Sequence, residues 1–453
     1  MSGPTILWLR RDLRLRDHPA LVEAARQAES AGVTAVFVVD PRLWAGGGDA
    51  RRRWLADNVQ ALEHAYDGHL VLRVGAPEEV IPALASEVGA RAVHISREST
   101  PYGRRRDERV QAALGDVPLV ATGTPYAVGP GRVLNGSGSA YKVFTPFARA
   151  WREHCWPAPA DVPSPLRWHD ARSDQQARAL LKKARETGPA PAFAAGEEAA
   201  LARWDEFVDE AVATYDTDRD LAAVDGTSRM SPYLKLGIVH PRTLLASLGA
   251  RRGDGVETFR TELAWREFYA DVLWHQPHSA WKDLRGNLAG MAYDEPGDDV
   301  RAWQSGRTGF PFVDAGMRQL LAEGWMHNRV RMVTASFLTK DLHVWWPIGA
   351  RHFLEHLVDG DLASNNHGWQ WVSGTGTDAA PYFRVFNPIT QGQRFDPDGT
   401  YVRRWVPELR HLEGGAVHEP WKHTDGYVHG YPERIVDHAE ERREALRRYE
   451  NAR

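Results

Sequence analysis

Through the first 125 residues, short β-branched apolar runs alternate with longer amphipathic ones. Residues 6–10 (ILWLR), 33–39 (VTAVFVV), 69–74 (HLVLRV) and 91–96 (RAVHIS) read as buried strands, and 18–31, 50–66 and 77–89 carry helical spacing. That alternation implies a parallel sheet covered by helices on both faces. The first strand runs into RRDLRLRD and not into G-x-G-x-x-G, so the usual dinucleotide cradle is absent. Residues 131–193 are dense in Pro and Gly (GSGS, WPAPADVPSPL, TGPAPAFAAG) and read as a long surface connection. Beyond it, 197–215, 256–275, 312–344 and 349–360 show helical periodicity, with no strand alternation of any length. The expected fold is α/β plus all-α: a doubly wound parallel α/β domain over 1–126, a linker over 127–194 and a helical domain over 195–453.

The chain's 453 residues exceed what one core usually supports, in keeping with two domains. With 43% hydrophobic and 26% charged residues it is an ordinary globular composition, which sets aside disordered and fibrous readings. The single cysteine, Cys155, rules out an intrachain disulfide, and without a CxxC there is no thiolate metal site; a reducing cytoplasm is the expected location. The short apolar run 6–9 precedes its arginines, the reverse of a signal peptide, and no stretch approaches a bilayer span. A net charge of −4 speaks against indiscriminate coating of nucleic acid but leaves room for a local basic patch. Tryptophan is unusual: 18 residues, eleven of them after position 260, more π surface than core packing usually asks for.

Four stretches carry candidate chemistry. GTSRMSPYLKLG (226–237) brings hydroxyls at 227, 228 and 231 to a helix start, fitting either phosphate oxygens or a plain N-cap; upstream, Tyr215 and Arg219 share a helical face. Glu262, Trp265, Arg266 and Tyr269 fall at i, i+3, i+4 and i+7, a cleft wall able to stack on and hydrogen-bond a flat ligand, or a salt-bridged surface helix. GWMHNRVRM (324–332) sets an amide suited to a pyrimidine edge, Asn328, beside phosphate-seeking Arg329 and Arg331, although a solvated basic face reads the same way. DGDLASNNHGWQWVSGTGTDAAPYF (359–383) is too polar for a core helix and too aromatic for a loop. His352 and His356 fit H-x-x-E-H, but no third zinc ligand can be identified, and chance explains the match better.

WLRRDLRLRD, GTSRMSPYL, ELAWREFY, the block 309–342 and the block 359–388 together resemble the DNA photolyase/cryptochrome family. They do so in order and over nearly the whole chain, most closely matching its bacterial class I cyclobutane pyrimidine dimer photolyases. The resemblance implies an antenna-chromophore α/β domain and a helical catalytic domain holding FAD in a folded form. It implies FAD contacts from Tyr215, Thr227, Ser228, Arg229, Met230, Ser231, Phe259, Glu262, Arg266, Asn328, Arg331, Asp359, Gly360, Asp361 and Asn365, with Asn365 at flavin N5. The dimer, flipped out of the duplex, would meet Glu262, Trp265, Asn328, Met332 and Trp371. Arg219, Tyr269, Arg329 and Gln391, with Glu262, Trp265 and Asn328, would contact DNA. Repair would follow electron transfer from excited reduced FAD.

Trp369 and Trp346 match the inner and middle members of the family's photoreduction chain, while the outer position is Tyr293, with Trp345 as a substitute. Arg51, Tyr102 and Arg106 resemble antenna sites for 8-hydroxy-5-deazaflavin, with methenyltetrahydrofolate as the alternative. UV-damaged DNA, double- or single-stranded, is the expected partner of a monomer without membrane association. A cryptochrome-type photoreceptor and a six-four photolyase are the rivals; Asn365, Asn328 and the absence of a long tail after the last motif favour dimer repair.

Overall fold

The computed structural model describes residues 3–377 and 383–452, so positions 378–382 of the 359–383 block lie outside the described residues. Five strands form one all-parallel sheet: β1 (Thr5–Leu9), β2 (Val33–Val39), β3 (Leu70–Val74), β4 (Ala92–Ile95) and β5 (Leu119–Ala121), in the order β3-β2-β1-β4-β5. Central β1 pairs with β2 through Leu7↔Ala35 and with β4 through Leu7↔His94. Every residue of β1, β2 and β4 is buried, which is why their sequences are nearly continuous apolar runs. Ile6, Trp8, Val36 and Val93 form one core with Ile81, Leu84 and Val110 of the helices Pro77–Val88 and Pro101–Ala113.

Four strands stand where the apolar runs place them. The fifth, β5, is three partly exposed residues, too short to show a period. Two other differences concern helices. The Pro- and Gly-rich connection contains Phe144–His154 and Gln175–Thr187, and Trp151 is fully buried. Its anchor is the buried carboxylate of Glu267, which accepts hydrogen bonds from Val128 N and Gly129 N, both at 2.7 Å, and from Trp151 Nε1. One helical turn on, Asp271 accepts Gly131 N at 2.7 Å. The apolar block 312–344 is not continuous either. It breaks into Pro311–Glu323, Asn328–Ser336 and a π-helical turn, Phe337–Asp341. Gly324, at φ 65°, ends the first piece in the left-handed region, and His327 caps the second by accepting from Arg329 N.

The chain forms two compact units, both discontinuous in sequence. The first holds Met1–Tyr141, Thr145–Ala213 and Ser228–Pro277; the second holds Lys142–Phe144, Thr214–Thr227 and His278–Arg453. Among the described residues no strand follows Ala121, and the second unit's core is helical, built around Trp303, Phe312, Leu320, Leu338, Trp346 and Phe353. Among the described residues no helix is long and apolar enough to cross a membrane.

Burial holds three histidines of the first unit, His18, His94 and His240, down at about 4 against an ordinary 6.5. Their folded values lie below the unfolded one, so the unfolded chain gains protons first on acidification. Stability is therefore full above pH 6.5 and falls as the pH drops towards 4, by about 1.4 kcal/mol per pH unit for each group. Urea midpoints taken from pH 7 down to 4 are expected to fall steadily. His94→Leu should flatten the slope by one group's share, since among the described residues neither ring nitrogen of His94 has a hydrogen-bond partner. An unchanged slope would count against His94.

Candidate functional site

In the first unit the helix Asp254–His275 buries Leu263, Ala264, Glu267 and Phe268 and leaves Glu262, Trp265, Arg266 and Tyr269 half-buried on the opposite face. This is the face predicted by the i, i+3, i+4, i+7 spacing. Trp265 is braced edge-on by Phe268 (ring centroids 5.8 Å apart) and by the tilted ring of Tyr269 (5.4 Å). Arg266 donates to Pro125 O at 3.0 Å and Leu234 O at 3.1 Å and lies 4.4 Å over the Tyr126 ring. Phe259 packs into the core against Trp204 and Phe207, at 4.9 and 5.5 Å. Ser228 Oγ accepts Met230 N at 3.3 Å, Arg229 takes a left-handed φ of 53°, Met230 is buried, and exposed Ser231 opens the short helix Ser231–Leu236. The Ser228 hydroxyl thus closes a local turn just ahead of that helix.

At the carboxyl ends of the strands, where the order reverses between β1 and β4, Arg106 is buried over the rings of Trp8 (4.9 Å) and Tyr102 (5.8 Å). Tyr102 donates its O–H to Asp40, and Arg10 pairs with Asp107 at 3.1 Å. Arg51 lies half-buried in the helix Asp49–Ala65.

In the second unit Tyr215 is buried with the Arg219 guanidinium 5.4 Å over its ring, and Thr227 is half-buried. Arg329 pairs with Asp220 at 2.8 Å and lies over Phe395. Asn328, exposed, and Met332, half-buried, stand one turn apart on the helix Asn328–Ser336. Arg331 donates to buried Asp359 at 2.8 Å and to Met326 O at 2.7 Å. Gly360 is buried, Asp361 caps the helix Leu362–Ser373 by accepting Ser364 N at 3.0 Å, and Gln391 lies half-buried on Pro388–Phe395. The tilted rings of His352 and His356 have centroids 4.4 Å apart, and burial pushes His352 down to about 3; among the described residues no three His, Cys, Asp or Glu side chains form a metal-binding group.

Along Leu362–Ser373, Asn365, Gly368 and Trp371 follow at three-residue steps on the half-buried side. A Cβ at 368 would meet nothing within 4 Å, which leaves open space between the amide and the indole. The Asn365 amide is held in one orientation. Its Nδ2 donates to Ala350 O at 3.1 Å and to Asn366 Oδ1 at 2.8 Å, and Asn366 in turn donates to Ala280 O. Asn365 Oδ1 is left as the outward group, an acceptor. Two residues further on, His367 is buried between Ala363 O and Ser279 Oγ and is pushed down to about 4 by burial, so it is neutral.

Trp369 and Trp346 are both buried, the latter donating its N–H to Asp283 at 2.7 Å. Tyr293 is half-buried, and burial, reinforced by Asp283, raises its phenol well above the usual range. Two residues here escape sequence reading. Asp283 lies far along the chain from its tryptophans. Lys340 is an amine buried in an apolar run, pushed down to about 7 by burial, contacting Arg384 O and the Phe383 ring.

An acceptor amide with a gap between it and the Trp371 indole suits a planar redox cofactor bearing an N–H, and Asp359, Asp361 and the Arg331 paired with Asp359 suit its polar arm. Fold and site thus define a two-unit protein, α/β and helical, whose helical unit is of a flavin-binding kind. Residues 5–165 match the family model for DNA photolyase and residues 259–451 that for the FAD binding domain of DNA photolyase. The chain is 41% identical to the deoxyribodipyrimidine photo-lyase of Streptomyces griseus, covering 98% of this chain and 97% of that one, and 39% identical to that of Escherichia coli K12, covering 99% and 98%. Among solved structures it resembles a class III photolyase from Agrobacterium tumefaciens (TM-score 0.91, 36% identity, 100% and 98% covered) and a Synechocystis cryptochrome (TM-score 0.88, 28% identity, 99% of each covered). The chain belongs to the DNA photolyase family, and FAD is its cofactor.

Proposed function

We propose that this chain repairs cyclobutane pyrimidine dimers in DNA under light. Bound reduced FAD supplies, on illumination, the electron that opens the dimer's two carbon–carbon bonds and receives it back, so repair has no net redox change. The observation that carries the reading is the fixed Asn365 amide. With both its N–H groups spent on protein oxygens, its Oδ1 accepts, and reduced flavin offers an N–H at N5 where oxidised flavin does not. Asn365 therefore favours the electron-donating form without adding a charge. Tyr215, Thr227 to Ser231, Phe259, Arg266, Arg331 and Asp359 to Asp361 are the residues we assign to holding FAD.

We assign Trp265 and Trp371 to packing against the flipped lesion, Glu262 and Asn328 to its polar edges, Met332 to the pocket wall, and Arg219, Tyr269, Arg329 and Gln391 to the strand. Asn328 favours the cyclobutane lesion over the six-four product: relatives acting on the latter usually carry a second histidine at this position, after His327, where this chain presents an exposed amide. Within the family the motifs read as class I. For the antenna we assign 8-hydroxy-5-deazaflavin to the strand ends near Tyr102 and Arg106, with Arg51; release of a folate on denaturation would overturn that choice.

The deciding test gives reduced protein an oligonucleotide with one thymine dimer, in blue light and in darkness. Light-dependent return of thymines is expected; none, from protein carrying reduced FAD, would move the reading to a photoreceptor or to six-four repair. Trp371→Ala is expected to weaken dimer binding by about 1–3 kcal/mol. Competition between damaged and undamaged oligonucleotides measures it, and an equal loss for both would remove Trp371 from the lesion pocket.

A further inference from the structure

We infer that Trp345, sharing the carboxylate of Asp283 with Trp346, is the outer electron donor for photoreduction in place of Tyr293. The inference rests on the FAD assignment above and on contacts within the second unit. Trp369 lies directly against Gly349, where an added Cβ would stand 2.2 Å from its ring, and Gly349 is one turn along the helix that begins at Trp346. Trp346, fully buried, donates its N–H to Asp283 Oδ1 at 2.7 Å. Trp345 reaches the same oxygen at 3.4 Å, its ring centroid is 6.4 Å from that of Trp346, and it is 38% exposed. Tyr293 makes no ring contact and no side-chain hydrogen bond among the described residues.

Taking an electron from an indole leaves a cation, which is costly in a dry interior unless an anion stands beside it. Asp283 is that anion for Trp346. Passing the vacancy to Trp345 brings the charge to water, where it is best solvated, while keeping the same carboxylate in reach. A tyrosine that gives up an electron must also give up its phenolic proton. The Tyr293 phenol has no hydrogen-bonded acceptor among the described residues, and burial, then Asp283, hold its proton on.

The electrons balance along this path. One passes from Trp369 to FAD, one from Trp346 to Trp369 and one from Trp345 to Trp346. Trp345, one electron short, releases its indole proton to Asp283 or water and is restored by one electron and one proton from a thiol in solution.

The test is flash excitation of the full-length protein carrying oxidised FAD, with dithiothreitol present, reading the donor radical by transient absorption and electron paramagnetic resonance and the flavin by its absorbance. Trp345→Phe is expected to lose the long-lived indole radical and most of the photoreduction, at unchanged FAD content; Tyr293→Phe should keep both. A Trp345→Phe protein that keeps them, or a tyrosyl radical that disappears in Tyr293→Phe, would overturn the assignment. Asp283→Asn should slow loss of the indole proton, read as a longer-lived protonated radical. Protein reduced with dithionite bypasses this path, so failure of dimer repair there would refute the proposed function while leaving the Trp345 result to stand on its own spectra.

Discussion

Glu267→Ala is expected to cost the first unit roughly 3–5 kcal/mol, because it strands three buried donors, Val128 N, Gly129 N and the Trp151 indole, each worth about 1–3 kcal/mol when left unsatisfied. No water-exposed substitute is at hand, since Glu267 is 3% exposed and Trp151 is fully buried. Glu267→Gln keeps one acceptor oxygen and should recover part of the loss. Urea denaturation of the three proteins checks the order, and a cost below about 1 kcal/mol for the alanine variant would mean that the connection is held elsewhere. Repair should suffer with stability. Glu267 fixes the rotation of Asp254–His275, and that rotation decides whether Glu262 and Trp265 stand on the half-buried side.

The second large effect is expected of Asn365→Asp. An oxygen would replace the Nδ2 that donates to Ala350 O and Asn366 Oδ1, setting acceptor against acceptor at two contacts. A carboxylate there would also put a full negative charge beside the electron-rich flavin. The flavin's reduction potential should fall and repair should slow by about tenfold or more, equivalent to about 1.4 kcal/mol of added barrier. Potentiometric titration alongside the repair rate tests this. A slower rate at an unchanged potential would place Asn365 in packing and not at N5.

Much of this was legible along the chain because it follows a period. The strand runs announced a doubly covered parallel sheet, and the 262, 265, 266, 269 spacing announced which side of its helix would face outwards. What stayed hidden depends on partners distant in sequence. Nothing near Asp283 points to tryptophans 62 and 63 residues later, and nothing near Glu267 points to amides 138 and 139 residues earlier. Local signals could also mislead: the density of Pro and Gly masked Phe144–His154, and unbroken apolar periodicity masked the stop at Gly324. Lys340 carries no sequence signal of its burial against Phe383 and Arg384.

The interleaving of the two units has a consequence for how the protein is made. The first unit needs residues up to Pro277, with 214–227 set aside for the second. On a ribosome adding about 5–20 residues per second, strand β1 would thus wait roughly 4–17 s for its second neighbour, β4, and its unit would be completed only roughly 10–35 s later. During that time Ile6, Leu7 and Trp8 are nascent apolar surface on a strand that requires neighbours on both edges. Holding such a chain during synthesis is work for a chaperone, and expression systems that lengthen the wait should yield more aggregate than enzyme.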